Sequence, residues 1–207
     1  MDNPKVFIFV CGSSRSGTTM MSRILGNHSI IFAFQELHFF DELASAENAS
    51  KPITKEKAIE LISVLKSIQR EGYFGKRNWK QFEGESGQEL NGTELTSMDL
   101  LLRFLSSESK HHRKSVPCEQ TPQTVFALDA LLKLVPTARV VLMVRDPREV
   151  LLSQKGKWKR RKLSGGKIPF WESVRSRINY PPETISRIWK STYSEALQHI
   201  HDNRLLS

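Results

Sequence analysis

Eight residues near the start of the chain could hold an anion: Gly12-Ser13-Ser14-Arg15-Ser16-Gly17-Thr18-Thr19. Glycines open and close a six-residue frame, small hydroxyl residues fill it, and one cation sits in the middle. Glycine permits backbone dihedrals that turn successive amides toward a common centre, where they cradle negative charge. The ordinary nucleotide loop of this spacing carries Lys just before Ser or Thr, to serve the terminal phosphates beside magnesium. Here that place is taken by Thr18, and the basic group is Arg15. An anionic group suits such a loop; a γ-phosphate with its magnesium ion does not.

The elements on either side fit the same purpose. Lys5 to Cys11 is a nearly continuous apolar run, the pattern of a strand covered on both faces in a parallel sheet. After the loop, Met20, Met21, Ile24 and Leu25 recur at helical spacing until Gly26 and Asn27. Strand, loop and helix together give the amides a helix amino terminus to join, which is itself an anion site. Ile30–Phe34 reads as a second strand, with Gln35-Glu36-Leu37-His38-Phe39-Phe40 at its carboxyl end. Helices are expected over 55–71, capped by Thr54, and after Thr96 and Asp99, which have the spacing of a capping box. Residues 72–95 read as loop, Glu119-Gln120-Thr121-Pro122 as a polar turn, and Val125 to Leu134 as a largely buried helix. Ala138–Val144 is the strongest strand signal, followed at once by Arg145-Asp146-Pro147 and a helix to about Gln154. A last helix after Pro181-Pro182 carries Ile185, Ile188, Trp189, Tyr193, Leu197 and Ile200 on its apolar face.

The fold class expected from this pattern is α/β: a three-layer sandwich of the kind found in P-loop nucleoside triphosphate hydrolases, with a mainly parallel central sheet and a helical insertion. One domain over 1–207 accounts for the length, with 41–118 as the insertion or acceptor-side subregion. The apolar Leu205-Leu206 at the end reads as a strand beginning, so the domain is expected to be truncated at its carboxyl terminus.

A composition of 39% hydrophobic and 26% charged residues excludes a disordered chain. The formal charge of +9 predicts a surface that attracts anions. Much of the excess lies in Lys155, Lys157, Lys159, Arg160, Arg161 and Lys162, a run that could close over phosphates, attract a polyanion or serve as a solvated face. Zinc-finger spacing and RNP-like strands are lacking, which argues against specific nucleic-acid binding. Cys11 and Cys118 are too few for a disulfide scaffold, and no closely spaced His, Cys and Asp set suits zinc. Apolar runs long enough for a membrane span and a signal-peptide pattern are also lacking, so the default location is cytoplasmic; a secretory-lumen origin stays open for a fragment.

The segment Phe9–Thr19 resembles the 5'-phosphosulfate loop of the sulfotransferase family, and its Arg-Ser-Gly-Thr-Thr sequence is closer to the tyrosylprotein and heparan branches than to the cytosolic branch. The resemblance implies 3'-phosphoadenosine 5'-phosphosulfate (PAPS) as donor co-substrate, metal-independent transfer, and contacts to the phosphosulfate from Ser14, Arg15, Ser16, Gly17, Thr18 and Thr19. Val140 to Ser153 is similar to the family's 3'-phosphate segment, in which Arg145 at the strand end and Ser153 eight residues later hold the second phosphate. Arg supplies a planar fork of donors suited to that role. By the same resemblance Glu36 is the catalytic base, ahead of His38, and Arg15 stabilises the leaving phosphate. Glu119 to Pro122 also resembles a family segment near donor or acceptor.

The implied reaction moves a sulfuryl group in line onto a hydroxyl or amine. The acceptor remains open among carbohydrate, peptide, lipid and small molecule. The alternatives are a P-loop nucleotide kinase or hydrolase, and a nucleotide-binding protein without catalysis.

Overall fold

A computed structural model of the chain describes residues 6–90, 95–155, 162–163, 166–167 and 181–206. Strand β1 (Phe7–Gly12) runs into helix α1 (Thr18–Gly26) and then β2 (Ile31–Ala33), the order expected from the sequence. Phe9, Val10 and Cys11 are wholly buried, which is why this strand shows no polar alternation. The face of α1 is turned from the expected one, with Met21 and Leu25 only partly buried. Thr18 and Ser22 are buried, whereas Met20 and Ile24 are 60% and 55% exposed, because the loop sets the helix rotation through its anchored amino terminus.

The segment after β2 forms a wide turn (Phe39–Leu43), a short 3-10 turn (Ala46–Asn48), then β3 (Pro52–Ile53) and α2 (Lys55–Glu71). Thr54 caps α2 by accepting from the Lys57 amide at 3.3 Å. Tyr73–Phe82 is a run of 3-10 turns leading into α3 (Glu83–Glu89), where the sequence reads as loop. Tertiary contacts outweigh the two glycines of α3. Lys66, 1% exposed on α2, pairs with Glu85 at 2.8 Å and Glu89 at 2.7 Å, and the Ser63 hydroxyl, whose proton goes to the Ile59 carbonyl, accepts from Ser86 at 2.9 Å. Beyond this, β4 (Leu95–Thr96) pairs antiparallel with β3, and α4 (Ser97–His111) begins with the expected capping box.

Next comes β5 (Val116–Glu119), which the sequence reading places in the insertion and its following turn. It lies inside the core sheet, between β1 and β2. Its Pro117 hides it from pattern reading, since proline has no ladder donor. Val116 donates to Ile30 on the β2 side, so Pro117 presents its missing N–H toward β1, where pairing begins only at Cys118. A 3-10 segment (Pro122–Ala127), α5 (Leu128–Leu134), β6 (Ala138–Met143) and α6 (Pro147–Lys155) follow. Phe126, expected to be buried, is 47% exposed, because the 3-10 winding changes which side chains face the core. The remaining elements are the small antiparallel pair β7 (Lys162–Leu163) and β8 (Gly166–Lys167), then α7 (Pro182–Leu197) and β9 (Leu205–Leu206).

The five-stranded sheet has the order β2-β5-β1-β6-β9, and every pair in it is parallel. All five strands therefore point their carboxyl ends toward one edge, where open α/β sheets bind ligands. The loop after β1, the Gln35–Phe40 segment after β2, Glu119 on β5 and Arg145 after β6 all emerge there.

Candidate functional site

The 12–19 loop owes its shape to a few backbone choices. Gly12 has φ 139°, and a Cβ there would lie 2.5 Å from the Met143 carbonyl oxygen, so only glycine lets β1 and β6 run so close at their ends. Arg15 adopts a left-handed backbone, φ 74°, and Gly17 another, φ 101°. The Gly17 carbonyl accepts from the Met21 amide at 2.9 Å, the first bond of α1. The amides of Thr18, Thr19 and Met20 thus precede the helical ladder. Gly17 supplies no capping side chain, and the first turn contains no acid. An unsated helix amino terminus of this kind, backed by a left-handed loop, is suited to an anion.

Two cationic residues meet beside it. Arg15 donates from Nε to Ser153 Oγ at 3.0 Å, and Arg145 donates from Nη1 to the Arg15 carbonyl at 3.1 Å. Arg145 also contacts Glu149 Oε2 at 3.1 Å, whereas Asp146 is engaged by Arg148 at 2.7 Å. Residues 130 and 138 positions apart along the chain are thereby brought into one cluster. The side chains of the basic run from Lys155 to Lys162 lie outside the described residues.

On the other side of the loop stand the two residues that could take a proton. Glu36 is half-buried; its Oε1 accepts from Thr19 Oγ1 at 3.4 Å and its Oε2 lies 3.6 Å from His38 Nε2. His38 Nδ1 reaches Asp41 Oδ2 at 2.9 Å. Burial opposes charge on this imidazole, but the hydrogen bonds and charges of Asp41 and Glu36 outweigh it and push His38 up to about 10. A ring held as imidazolium has no lone pair to receive a proton. His38, Asp41 and Glu42 also bring three ligand-type atoms within 4.8 Å of one another. Protein cations already answer these acids: His38 faces Asp41, and Lys76 meets Glu42 at 2.5 Å.

Beyond Asp41 the surface opens into a hollow of about 480 Å³, bounded by Phe40 to Glu47 and by Phe126. Two aromatic residues, Phe40 and Phe126, and three acidic ones, Asp41, Glu42 and Glu47, are among those that line it.

Behind Glu36 and His38 is a buried support whose part as a positioning device only the folded chain reveals. Thr121 Oγ1 accepts from the amides of Leu37 at 3.1 Å and His38 at 3.2 Å, and donates its own proton to Glu119. This hydroxyl fixes the backbone of the Glu36–His38 segment, in which His38 has φ 52°. Glu119 is 3% exposed, and burial pushes its carboxyl up to about 7 against the opposing hydrogen bond from Thr121. Folding therefore raises its proton affinity above the reference 4.5. The native chain binds this proton more tightly than the unfolded one, so the contribution is full below about pH 4.5 and is lost as pH rises through about 7. Glu119→Gln is expected to flatten that part of the stability profile, measured by urea denaturation at intervals across this range. An unchanged slope would show that Glu119 does not titrate there.

The sequence matches the model of the sulfotransferase family over residues 8–204. No curated protein sequence matches it. Among solved structures, it is similar to a sulfotransferase domain from the curacin biosynthetic pathway, at 15% identity and TM-score 0.56, covering 99% of this chain and 67% of that one. It is also similar to a sulfotransferase domain from the Synechococcus PCC 7002 olefin synthase, at 16% identity and TM-score 0.57, covering 100% and 66%. The chain thus spans about two thirds of the length of these domains, and at such identities the likeness concerns the fold.

Proposed function

The chain belongs to the sulfotransferase family, and on that footing we propose that it moves a sulfuryl group from PAPS to a hydroxyl or amine. The observation that carries the donor assignment is the meeting of Arg15, Arg145 and Ser153 beside an uncapped helix amino terminus. One small molecule with a phosphosulfate and a second phosphate on the same ribose could engage both cations.

In this reading the phosphosulfate lies over the amides of Thr18, Thr19 and Met20, with Arg15 beside it, and the 3'-phosphate faces Arg145 and Ser153. Ser153 accepts from Arg15, which leaves its own hydroxyl proton for a phosphate oxygen. The acceptor oxygen or nitrogen attacks sulfur while Glu36 removes its proton. The new bond to sulfur forms as the bond to the 5'-phosphate oxygen breaks, and 3',5'-phosphoadenosine leaves carrying the electron pair. Arg15 and the loop amides stabilise that departing charge. No covalent intermediate with the protein and no metal ion is required.

The hollow next to Asp41 supplies an acceptor side of opposite character. Asp41 and Glu42 are already paired with His38 and Lys76, so Glu47 and the two phenylalanines set the character of this hollow, which suits an uncharged or amino-bearing molecule better than a polyanion. Nothing in this hollow favours the heparan or tyrosylprotein type of acceptor over others.

Calorimetry with 3',5'-phosphoadenosine, AMP and ATP tests the donor assignment. The bisphosphate is expected to bind at least tenfold more tightly than AMP, without magnesium. Equal affinities for the two would remove the basis for a second phosphate site. In the sulfation assay, small neutral and amino alcohols are expected to be better acceptors than a sulfated polysaccharide; the reverse order would reject the acceptor side drawn here.

A further inference from the structure

The hydroxyl of Ser16, expected by resemblance to hold phosphate, is engaged elsewhere. Tyr193 on α7 donates its phenolic proton to the Met143 carbonyl at 2.9 Å, and a carbonyl oxygen can only accept. The same phenol lies 3.1 Å from Ser16 Oγ. With the single phenolic proton spent on Met143, the proton in the second contact has to come from Ser16. The Ser16 amide is also used, donating to the Ser13 carbonyl at 3.0 Å. Both donors of this buried residue are therefore committed within the protein, and neither is left for a ligand.

One turn earlier on α7, Trp189 donates from its indole to the Arg145 carbonyl at 3.0 Å, and its ring packs against Tyr193 with centroids 4.6 Å apart. The helix thus holds the end of β6 at two carbonyls, Met143 and Arg145, and holds the anion loop at Ser16. Arg145 in turn donates to the Arg15 carbonyl. The loop and the strand end are fastened to each other and, separately, to a third element that carries no proposed ligand contact.

We propose that Tyr193 and Ser16 form a positioning strut, supported by Trp189, that sets the distance between the two anion subsites. Ser16 is a structural member of the loop and not a phosphate ligand. The assignment rests on the two-phosphate reading above; the strut itself is a statement about protein contacts.

A double-mutant cycle separates the possibilities. Tyr193→Phe and Ser16→Ala each remove one oxygen and leave the surrounding packing in place. Each is expected to lower affinity for 3',5'-phosphoadenosine by about threefold to tenfold, with AMP affinity changed less, and the double variant should lose no more than either single one. Trp189→Phe should also narrow the preference for the bisphosphate over AMP. If instead the Ser16→Ala loss is much the larger and the two losses multiply, Ser16 binds phosphate itself and the strut is wrong. Loss of thermal stability with unchanged ligand preference in all three variants would also overturn it. Equal binding of AMP and bisphosphate by the unmodified protein is a different result: it defeats the two-phosphate reading and is decided before any variant is made.

Discussion

Glu36→Gln is expected to lower kcat by about a hundredfold to ten-thousandfold, the range over which a positioned general base contributes, while the dissociation constant for 3',5'-phosphoadenosine stays the same or tightens slightly. The amide keeps the size of the carboxylate and can still accept from Thr19 Oγ1, now 3.4 Å away, but it cannot take the acceptor's proton. His38 does not readily substitute for it, because Asp41 still faces its Nδ1 at 2.9 Å and favours the protonated ring. His38→Gln should therefore cost less than Glu36→Gln and act through the placement of the carboxylate. Turnover in Glu36→Gln within threefold of the unmodified protein, with saturating donor, would exclude Glu36 as the base.

The second large effect belongs to the two arginines, and it should differ in kind between them. Arg145→Ala is expected to bring bisphosphate affinity down to that of AMP, a loss of about tenfold to a hundredfold for one charge-assisted contact of about 1.5–3 kcal/mol. Part of the gross interaction is already discounted, since the phosphate must draw Arg145 away from Glu149, 3.1 Å distant. Arg15→Ala should weaken both nucleotides and lower kcat as well, by about a hundredfold or more, because its charge acts on the leaving oxygen in the transition state. A kcat unchanged by Arg15→Ala at saturating donor would place that residue in binding alone. Identical profiles for the two variants would mean that the subsites are not distinct.

The parts of this arrangement that could be read from sequence are those in which one residue type does one local job. The strand, the glycine frame and the helix after it stand in consecutive residues, and Arg145 follows an apolar run too regular to miss. The caps of α2 and α4 depend on residues three apart and are equally visible. What escaped notice depends on contacts across the chain. Strand β5 contains Pro117 and ends in Glu119, a composition that argues for a turn until the neighbouring strands supply its partners. Helix α3, with Gly84 and Gly87, is held by Lys66 and Arg70 from α2 and has weak propensity of its own. Thr121 looks like a helix-start residue, yet it fastens Leu37 and His38, more than eighty positions earlier in the chain. Tyr193 reads as one apolar-face residue among several; nothing short of the fold reveals that its hydroxyl lies beside Ser16.

The wide chain separation of these partners also has a thermodynamic side. Ser16 and Tyr193 are 177 positions apart, and Arg15 and Ser153 are 138 apart. A nucleotide held by Arg15 on one side and by Arg145 and Ser153 on the other would act as a removable cross-link over more than half of the polypeptide. Its affinity then adds to the cooperative stability of the whole fold through mass action, and a cell well supplied with the donor keeps the protein folded with the same molecule that it consumes.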